Sequence, residues 1–504
     1  MIKTLATLPT YTQSWIAKAL SWMDTFWDDD LGLIWSPSAN PDKPGHDVRS
    51  TIWYALGLFM RQEEGDVGRA CQAIEAVLGN QFDAPETVFH GAFYRAPEEP
   101  YPPANPTEWR DYDPNWREFI GTVLAILLED YAGLLPADLV TAIDAALYKA
   151  AEGAYRRNVR AGYTNIALMS AYLLDFAGQR LQVPAWRDRS ATLVEAIYDL
   201  YQPNETFAEY NSPTYYGTDL YALAQWRAFG LTARMRDLGR EMEAGLWRDI
   251  GRFYHAGLKN LCGPFDRSYG MDMRKYISLT GLWIACAVDE AQAPVPDIGK
   301  PFGHRHDLCF MPAIAAVGVE IPEDVRPHLT TFSGPRQVTR TIEPAPRRIA
   351  TAWLAESVMV GGESTGGSRA AIHQFHPATL HWQLPDGDVG WLKLTCYAPV
   401  DAVASNSTLT NGTLTNGTLT ITCYGQQVKH PDLEATFQIY APGLSTENIS
   451  GNRWQLPGLI VQVETTAGSP RVVQQADLVE IHYPVLVGEA AQPVMFTLTC
   501  TPTG

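Results

Sequence analysis

The stretch ETFAEYNSPTYYGTDLYAL, from Glu205, gathers Glu209, Tyr210, Asn211, Tyr215 and Tyr216 just before a helical pattern begins. Carboxylate, amide and phenol in one short stretch are the residue types of proton transfer and of hydrogen bonding to developing negative charge. A loop running into a helix holds such groups rigidly while leaving them exposed, and Pro213 stiffens the approach. The same residues also read as a plain helix start, with Ser212 as cap and the tyrosines packed inside.

Other stretches share this density. GPFDRSYGMDMRKY offers Asp266, Arg267, Tyr269, Asp272 and Arg274 within nine residues, a site loop or a salt-linked surface turn. DYDPNWREFIG offers Asp113, Asn115 and Arg117, and GHDVRST offers His46, Asp47 and Arg49, each just before a helical pattern. Asn165 opens the otherwise apolar helix of YTNIALMSAYLLDFAG, as a polar site group or as a cap. IHQFHPATLHWQL sets His373, His376 and His381 within nine residues. That spacing invites a zinc reading. Strand alternation does not put all three on one face, however, and no fourth ligand stands out. A catalytic or carboxylate-binding imidazole, or a packed ring, remains.

The elements that must position these groups come in two textures. To about residue 290, apolar positions recur at helical spacing from His46, Asn115, Asp138, Thr164, Arg189, Thr218, Ala233 and Met273. Gly and Pro punctuate the joins, and long aromatic-rich loops follow several helices. Serial helix pairs with long loops predict a ring of α-hairpins with a cleft at one end. After residue 335 alternating segments take over, among them RRIATAWLAESVMVGGES, TLTITCYGQQV, EATFQIYAP and PVMFTLTC, and predict an antiparallel all-β unit. The expected organisation is a mainly α (α/α) toroid over 1–335 and an antiparallel β-sandwich over 336–504. Residues 408–417 repeat TLTNG, a hairpin signal, and Asn411 and Asn416 fit the glycosylation acceptor pattern.

Composition narrows the partners. With 504 residues, 46% hydrophobic and 19% charged, the chain is globular and long enough for two domains. A net charge of -18 argues against nucleic acid, which needs a basic face, and against a highly sulfated chain. The 15 Trp, 23 Tyr and 17 Phe fill cores, and some suit the apolar faces of sugar rings. Seven scattered cysteines form no CxxC pair, so a zinc knuckle is not expected. No run nears the roughly 18 apolar residues of a membrane span. The first residues lack a signal-peptide core, so a cytoplasmic location is the default expectation, with a periplasmic or secreted one if a leader was removed.

Taken together, the order of elements and three local motifs resemble polysaccharide lyases of the heparinase II/III type. Those enzymes carry an Asn at the start of a mid-toroid helix, matched by Asn165. They carry a Glu, then Ser-Pro, then a Tyr usually followed by His, matched by Glu209, Ser212, Pro213 and Tyr215, with Tyr216 in place of that His. They carry a His-rich turn in the first strands of the sandwich, matched best by His376. The resemblance implies β-elimination on a uronate-containing poly- or oligosaccharide, without a cofactor. Tyr215 would act as base and acid. Asn165, His376 and an arginine such as Arg117 or Arg49 would neutralise the uronate carboxylate. Glu209, Tyr210, Asn211, Tyr216, His46, Arg49, Asp266, Arg267, Tyr269, Arg274 and His373 would bind substrate. Two other readings stay open: an inverting glycoside hydrolase using Glu209 with Asp266 or Asp272, and a non-catalytic carbohydrate-binding protein. Oligomeric state is left open.

Overall fold

Three consecutive helical hairpins organise the N-terminal part of the computed structural model, which describes residues 3–36, 45–407, 416–428, 433–476 and 478–503. In each pair the first helix is buried almost all round: Val48–Arg61, Trp116–Asp130 and Thr164–Arg180. Its partner buries one stripe. Asp66–Gly79, for example, turns inward Asp66, Ala70, Ala73, Ile74 and Val77, the three-to-four spacing of an amphipathic outer helix. Ala137–Arg157 and Pro184–Tyr201 do the same. The inner helices pack on one another in chain order, and Met311–Val317 packs on Val48–Arg61. This inner-and-outer alternation is that of an (α/α) toroid. Among the described residues, no helix is long and apolar enough to cross a membrane.

From Arg336 onward a 13-stranded antiparallel sheet takes over. The long strand Val389–Ser407 is its pivot. Residues 391–396 pair with Glu434–Tyr440, and residues 400–407 pair with Asn416–Cys423. The turnover between these partners coincides with a register irregularity between Cys396 and Pro399, the kind of kink that redirects a strand. Two layers thereby face each other. Phe437 of one meets Phe496 and Trp454 of the other, with ring centroids 5.1 and 5.5 Å apart. Alternate residues of most of the long strands feed this core.

Division by compactness gives two units. The first holds Met1–Glu205, Gly217–Gly245 and Tyr276–Ile321; the second holds Thr206–Tyr216, Leu246–Lys275 and Pro322–Gly504. Three segments within the range expected to form the toroid, 206–216, 246–275 and 322–335, thus group with the sheet.

Local boundaries moved for identifiable reasons. The helix expected from Thr218 starts at Tyr215, because Ser212 Oγ accepts the Tyr215 N–H at 2.9 Å. The helix expected from Met273 starts at Leu279, capped by Ser278, whose side chain accepts the Gly281 N–H. Arg336–Pro344, not anticipated as a strand, pairs with Arg347–Ala355. Most of the TLTNG repeat lies outside the described residues.

Candidate active site

The Glu209–Tyr216 stretch and the Asp266–Arg274 loop both belong to the second unit, and their side chains meet there. Arg267 is the joint. Its Nη2 donates to Tyr215 Oη at 2.6 Å, its Nη1 to Glu209 Oε1 at 2.9 Å and its Nε to Gln374 Oε1 at 3.1 Å. The guanidinium carbon also lies 3.6 Å from the centroid of the Tyr215 ring. Tyr269 Oη stands 2.8 Å from Tyr215 Oη, and Tyr269 is 41% exposed, so this pair of phenols reaches solvent. The loop is pinned beneath them by Ser212 Oγ donating to Arg267 O and by Ser268 N–H donating to Gln374 O.

Burial pushes the Tyr215 phenol well above its ordinary pKa, helped by the Tyr269 hydroxyl, and Arg267 pulls against both. Burial also works against the Arg267 cation, but Tyr215 and Glu209 more than offset it, so its pKa is raised. Tyr215 is therefore a protonated phenol, hydrogen-bonded and stacked on a cation, and suited to deliver a proton.

A second network adjoins through Asp266. Its Oδ1 accepts from Arg348 at 2.9 Å and from Arg369. Arg348 also donates to Glu363 at 2.7 Å, to Glu343 at 3.0 Å and to Ala208 O at 3.0 Å. Arg369 lies 3.8 Å over Phe375. Arg267, Arg369, His373 and Gln374 line an open depression of about 410 Å³. An acidic protein thus carries a local face on which arginines and an imidazole could receive a carboxylate.

Not all the residues singled out in the sequence are placed to touch a ligand. Tyr210 and Tyr216 are fully buried, and their rings pack on each other 6.2 Å apart. Asn211 spends its amide on Cys262 O at 2.7 Å and Pro264 O at 2.8 Å. These three are structural, which corrects their reading as substrate contacts. Arg117 is corrected likewise: it is 1% exposed and donates to the carbonyls of His90, Pro114 and Val88. His376 is 4% exposed, and its backbone pairs in both directions with Phe265. Burial, with Lys393 nearby, lowers its pKa to about 3, so the ring is neutral and inside. His381 is fully buried on Met271 O, whereas His373 is exposed at a left-handed turn, φ 56°. Among the described residues these three histidines form no metal-holding group.

Arg274 is tied to Asp272 at 3.3 Å and Asp388 at 2.7 Å, the salt-linked turn. Within the first unit, Asn165 is buried in the first turn of its helix. His46 is held between Glu98 and Asp28. Arg49 lies over the rings of Trp53, Trp116 and Phe119, each about 5 Å away. The sequence reading passed over Arg348, Arg369, Glu363 and Gln374. Glu363 did leave a signal, a carboxylate ending the apolar run VMVGG, and Gln374 sits inside the His-rich stretch already singled out.

Among solved structures, a heparinase III is 10% identical, with TM-score 0.37, covering 100% of this chain and 86% of that one. The heparan sulfate lyase HepC from Pedobacter heparinus is 9% identical, with TM-score 0.36, covering 98% and 84%. The endoglucanase CelQ from Clostridium thermocellum, complexed with cellobiose and cellotriose, is 8% identical, with TM-score 0.29, covering 98% and 92%. No curated protein matches. A family model described as Domain of unknown function (DUF8770) matches residues 336–479. A second, matching residues 13–319 and so more than half of the chain, shows that the protein belongs to the family described as Domain of unknown function (DUF8769).

Proposed function

We propose that this protein is a polysaccharide lyase that cleaves a uronate-containing glycan by β-elimination. One observation carries the reading: the Tyr215 hydroxyl is held by Arg267 at 2.6 Å and by Tyr269 at 2.8 Å, beside an open arginine-lined depression.

β-Elimination removes the C5 proton of a uronic acid and expels the sugar linked at O4. The proton is acidic enough only when the carboxylate beside it is neutralised, so cationic or amide donors are needed there. Arg369 and Arg267 are the cations that line the depression. Tyr215 is protonated at rest and first loses that proton to solvent. As phenolate it would take the C5 proton, with Arg267 stabilising the negative oxygen, and the phenol so formed would pass that proton to the departing O4. Glu209 fixes Arg267 rather than serving as base, because its carboxylate is already paired. That pairing also counts against Glu209 as the acid of an inverting hydrolase, which must hold a proton, and Asp266 is tied by two arginines.

The test is a panel of uronate polysaccharides followed by the ultraviolet absorbance of the conjugated double bond that elimination creates. Growth of that band with wild type and its absence with Tyr215→Phe supports the reading. Reducing-end release without the band would replace it with hydrolysis.

A further inference from the structure

The segment Gly303–Asp307 reads Gly-His-Arg-His-Asp and lies wholly within the first unit. One ligand atom from each of His304, His306 and Asp307 lies within 4.8 Å of the others. His306 Nε2 is 3.3 Å from Asp307 Oδ1, and His304 Nδ1 is 3.7 Å from Asp307 Oδ2. Donors bound to zinc at about 2.0–2.2 Å in a tetrahedron stand about 3.3 Å apart. The two His–Asp gaps, one to each carboxylate oxygen, are at that size or within a few tenths of an ångström of it, and the three chosen donors all lie within 4.8 Å, so the set must close further around an ion.

The segment is held on both sides. Ile277 N–H donates to Gly303 O at 3.0 Å, and Asp307 N–H closes back on His304 O at 3.1 Å. Downstream, Met311–Val317 is wholly buried. The side chains of His304, His306 and Asp307 are 25%, 13% and 10% exposed, sheltered yet open to an ion and its waters. The intervening Arg305 is drawn over the rings of Trp22, Phe26 and Phe302, 5.6–5.8 Å from each. Nδ1 of His306 is buried without a hydrogen-bond partner among the described residues, so no such bond dictates which nitrogen of that ring carries the proton.

We infer that His304, His306 and Asp307 form a three-ligand site for a divalent transition-metal ion of the zinc type, its remaining positions filled by water. Two imidazoles and one carboxylate select borderline ions over Mg²⁺ or Ca²⁺, which take oxygen ligands. The site is independent of the elimination chemistry proposed above. In its position it would clamp the turn that leads into the buried Met311–Val317 helix.

The test uses the full chain, stripped with a chelator and dialysed against Zn²⁺, with bound metal counted by mass spectrometry. One equivalent is expected, in wild type and equally in Tyr215→Phe. Co²⁺ in place of Zn²⁺ should show the visible d–d bands of nitrogen and oxygen coordination. Loss of a second-shell partner already weakens metal binding 10–100-fold, so His304→Ala, His306→Ala and Asp307→Asn should each weaken it by about 100-fold or more. Wild type without stoichiometric Zn²⁺ and without Co²⁺ bands overturns the site, leaving simple His–Asp ion pairs. Undiminished binding in folded variants overturns it as well.

Discussion

Arg267 grips Tyr215 twice, with a 2.6 Å hydrogen bond to the phenol oxygen and a guanidinium 3.6 Å from the ring centroid. A lysine cannot reproduce both, because it has a point charge rather than a planar fork. It would also release Glu209 and Gln374. If the phenol does the chemistry, Tyr215→Phe should cut elimination by about a thousandfold, and Arg267→Lys by about a hundredfold or more. Circular dichroism should be unchanged for Tyr215→Phe. Near-normal double-bond formation in that variant would move the acid and base elsewhere.

The position of the Tyr215 pKa gives a second handle. Burial holds the phenol above its ordinary value, so the phenolate fraction is small at neutral pH and grows tenfold per pH unit. If deprotonation of Tyr215 limits the rate, kcat/KM should climb with unit slope through pH 7–9 and level off only above about 10. Replacing Arg267 with Gln removes a cation that pulls that pKa down. The rising limb should then shift to still higher pH. A plateau centred on pH 7 in wild type would show that another group is the base.

Why Glu209, Tyr215 and Arg267 could be picked out from sequence, while Arg117 and Asn211 were misread, comes down to the range over which information acts. Chemical density near a helix start is local, and it pointed to the stretches that meet. What a polar residue is spent on is not local. Arg117 looks available until the carbonyls of Val88, His90 and Pro114 are found around it. Asn211 is consumed by carbonyls 51 and 53 residues away. Helical period and strand alternation gave both fold classes, because each reports one buried face. The grouping of 206–216 and 246–275 with the sheet leaves no trace in periodicity, since it depends on contacts such as Phe265 with His376. His376 itself combined a site-like residue type with a buried backbone bridge, and burial decided.

Glu118 makes a different prediction, about the helical unit. It is fully buried on the inner helix Trp116–Asp130, and neither carboxylate oxygen has a hydrogen-bond partner among the described residues. Burial raises its pKa to about 7, from an ordinary 4.5. A raised folded pKa stabilises fully below 4.5, where both states hold the proton, and the contribution is lost as pH rises through 7. At pH 8 the buried charge should cost about 3 kcal/mol. Glu118→Gln should therefore raise Tm clearly at pH 8 and scarcely at pH 5. An equal effect at both would mean that the carboxylate is not the source of strain.

The sheet unit holds an opposite, acid-side liability. Burial lowers the pKa of His255 and His381 to about 4 and that of His376 to about 3. A depressed folded pKa leaves stability intact above the ordinary 6.5 and removes it as pH falls toward 4, because only the unfolded chain takes up the proton. At pH 5 each ring should cost about 2 kcal/mol. Glu363 and Asp272, whose pKa values burial raises, offset part of this loss. NMR of the imidazoles isolates the effect: all three rings should remain neutral at pH 5. A ring that titrates near 6.5 in the native protein would show that it is open to water.

Arg348 tests what holds the base of the depression. It is 5% exposed and bridges Glu363, Glu343 and Asp266 while donating to Ala208 O. Glu363 is fully buried, and its Oε2 has no hydrogen-bond partner among the described residues, so Arg348, hydrogen-bonded to Oε1 at 2.7 Å and backed by Arg369 at 3.9 Å, does most to keep that charge tolerable. Removing one partner of a buried pair costs about 3–5 kcal/mol, because the other charge is stranded. Arg348→Met should lose about that much in denaturant unfolding. Asp266 keeps Arg369, so its loop should be less disturbed than Glu363. Arg348→Met combined with Glu363→Gln removes the stranded charge and should recover most of the loss, a coupling of several kcal/mol in the double-mutant cycle. If the two single losses simply add, the two side chains do not depend on each other, and the depression rests on something other than this ion pair.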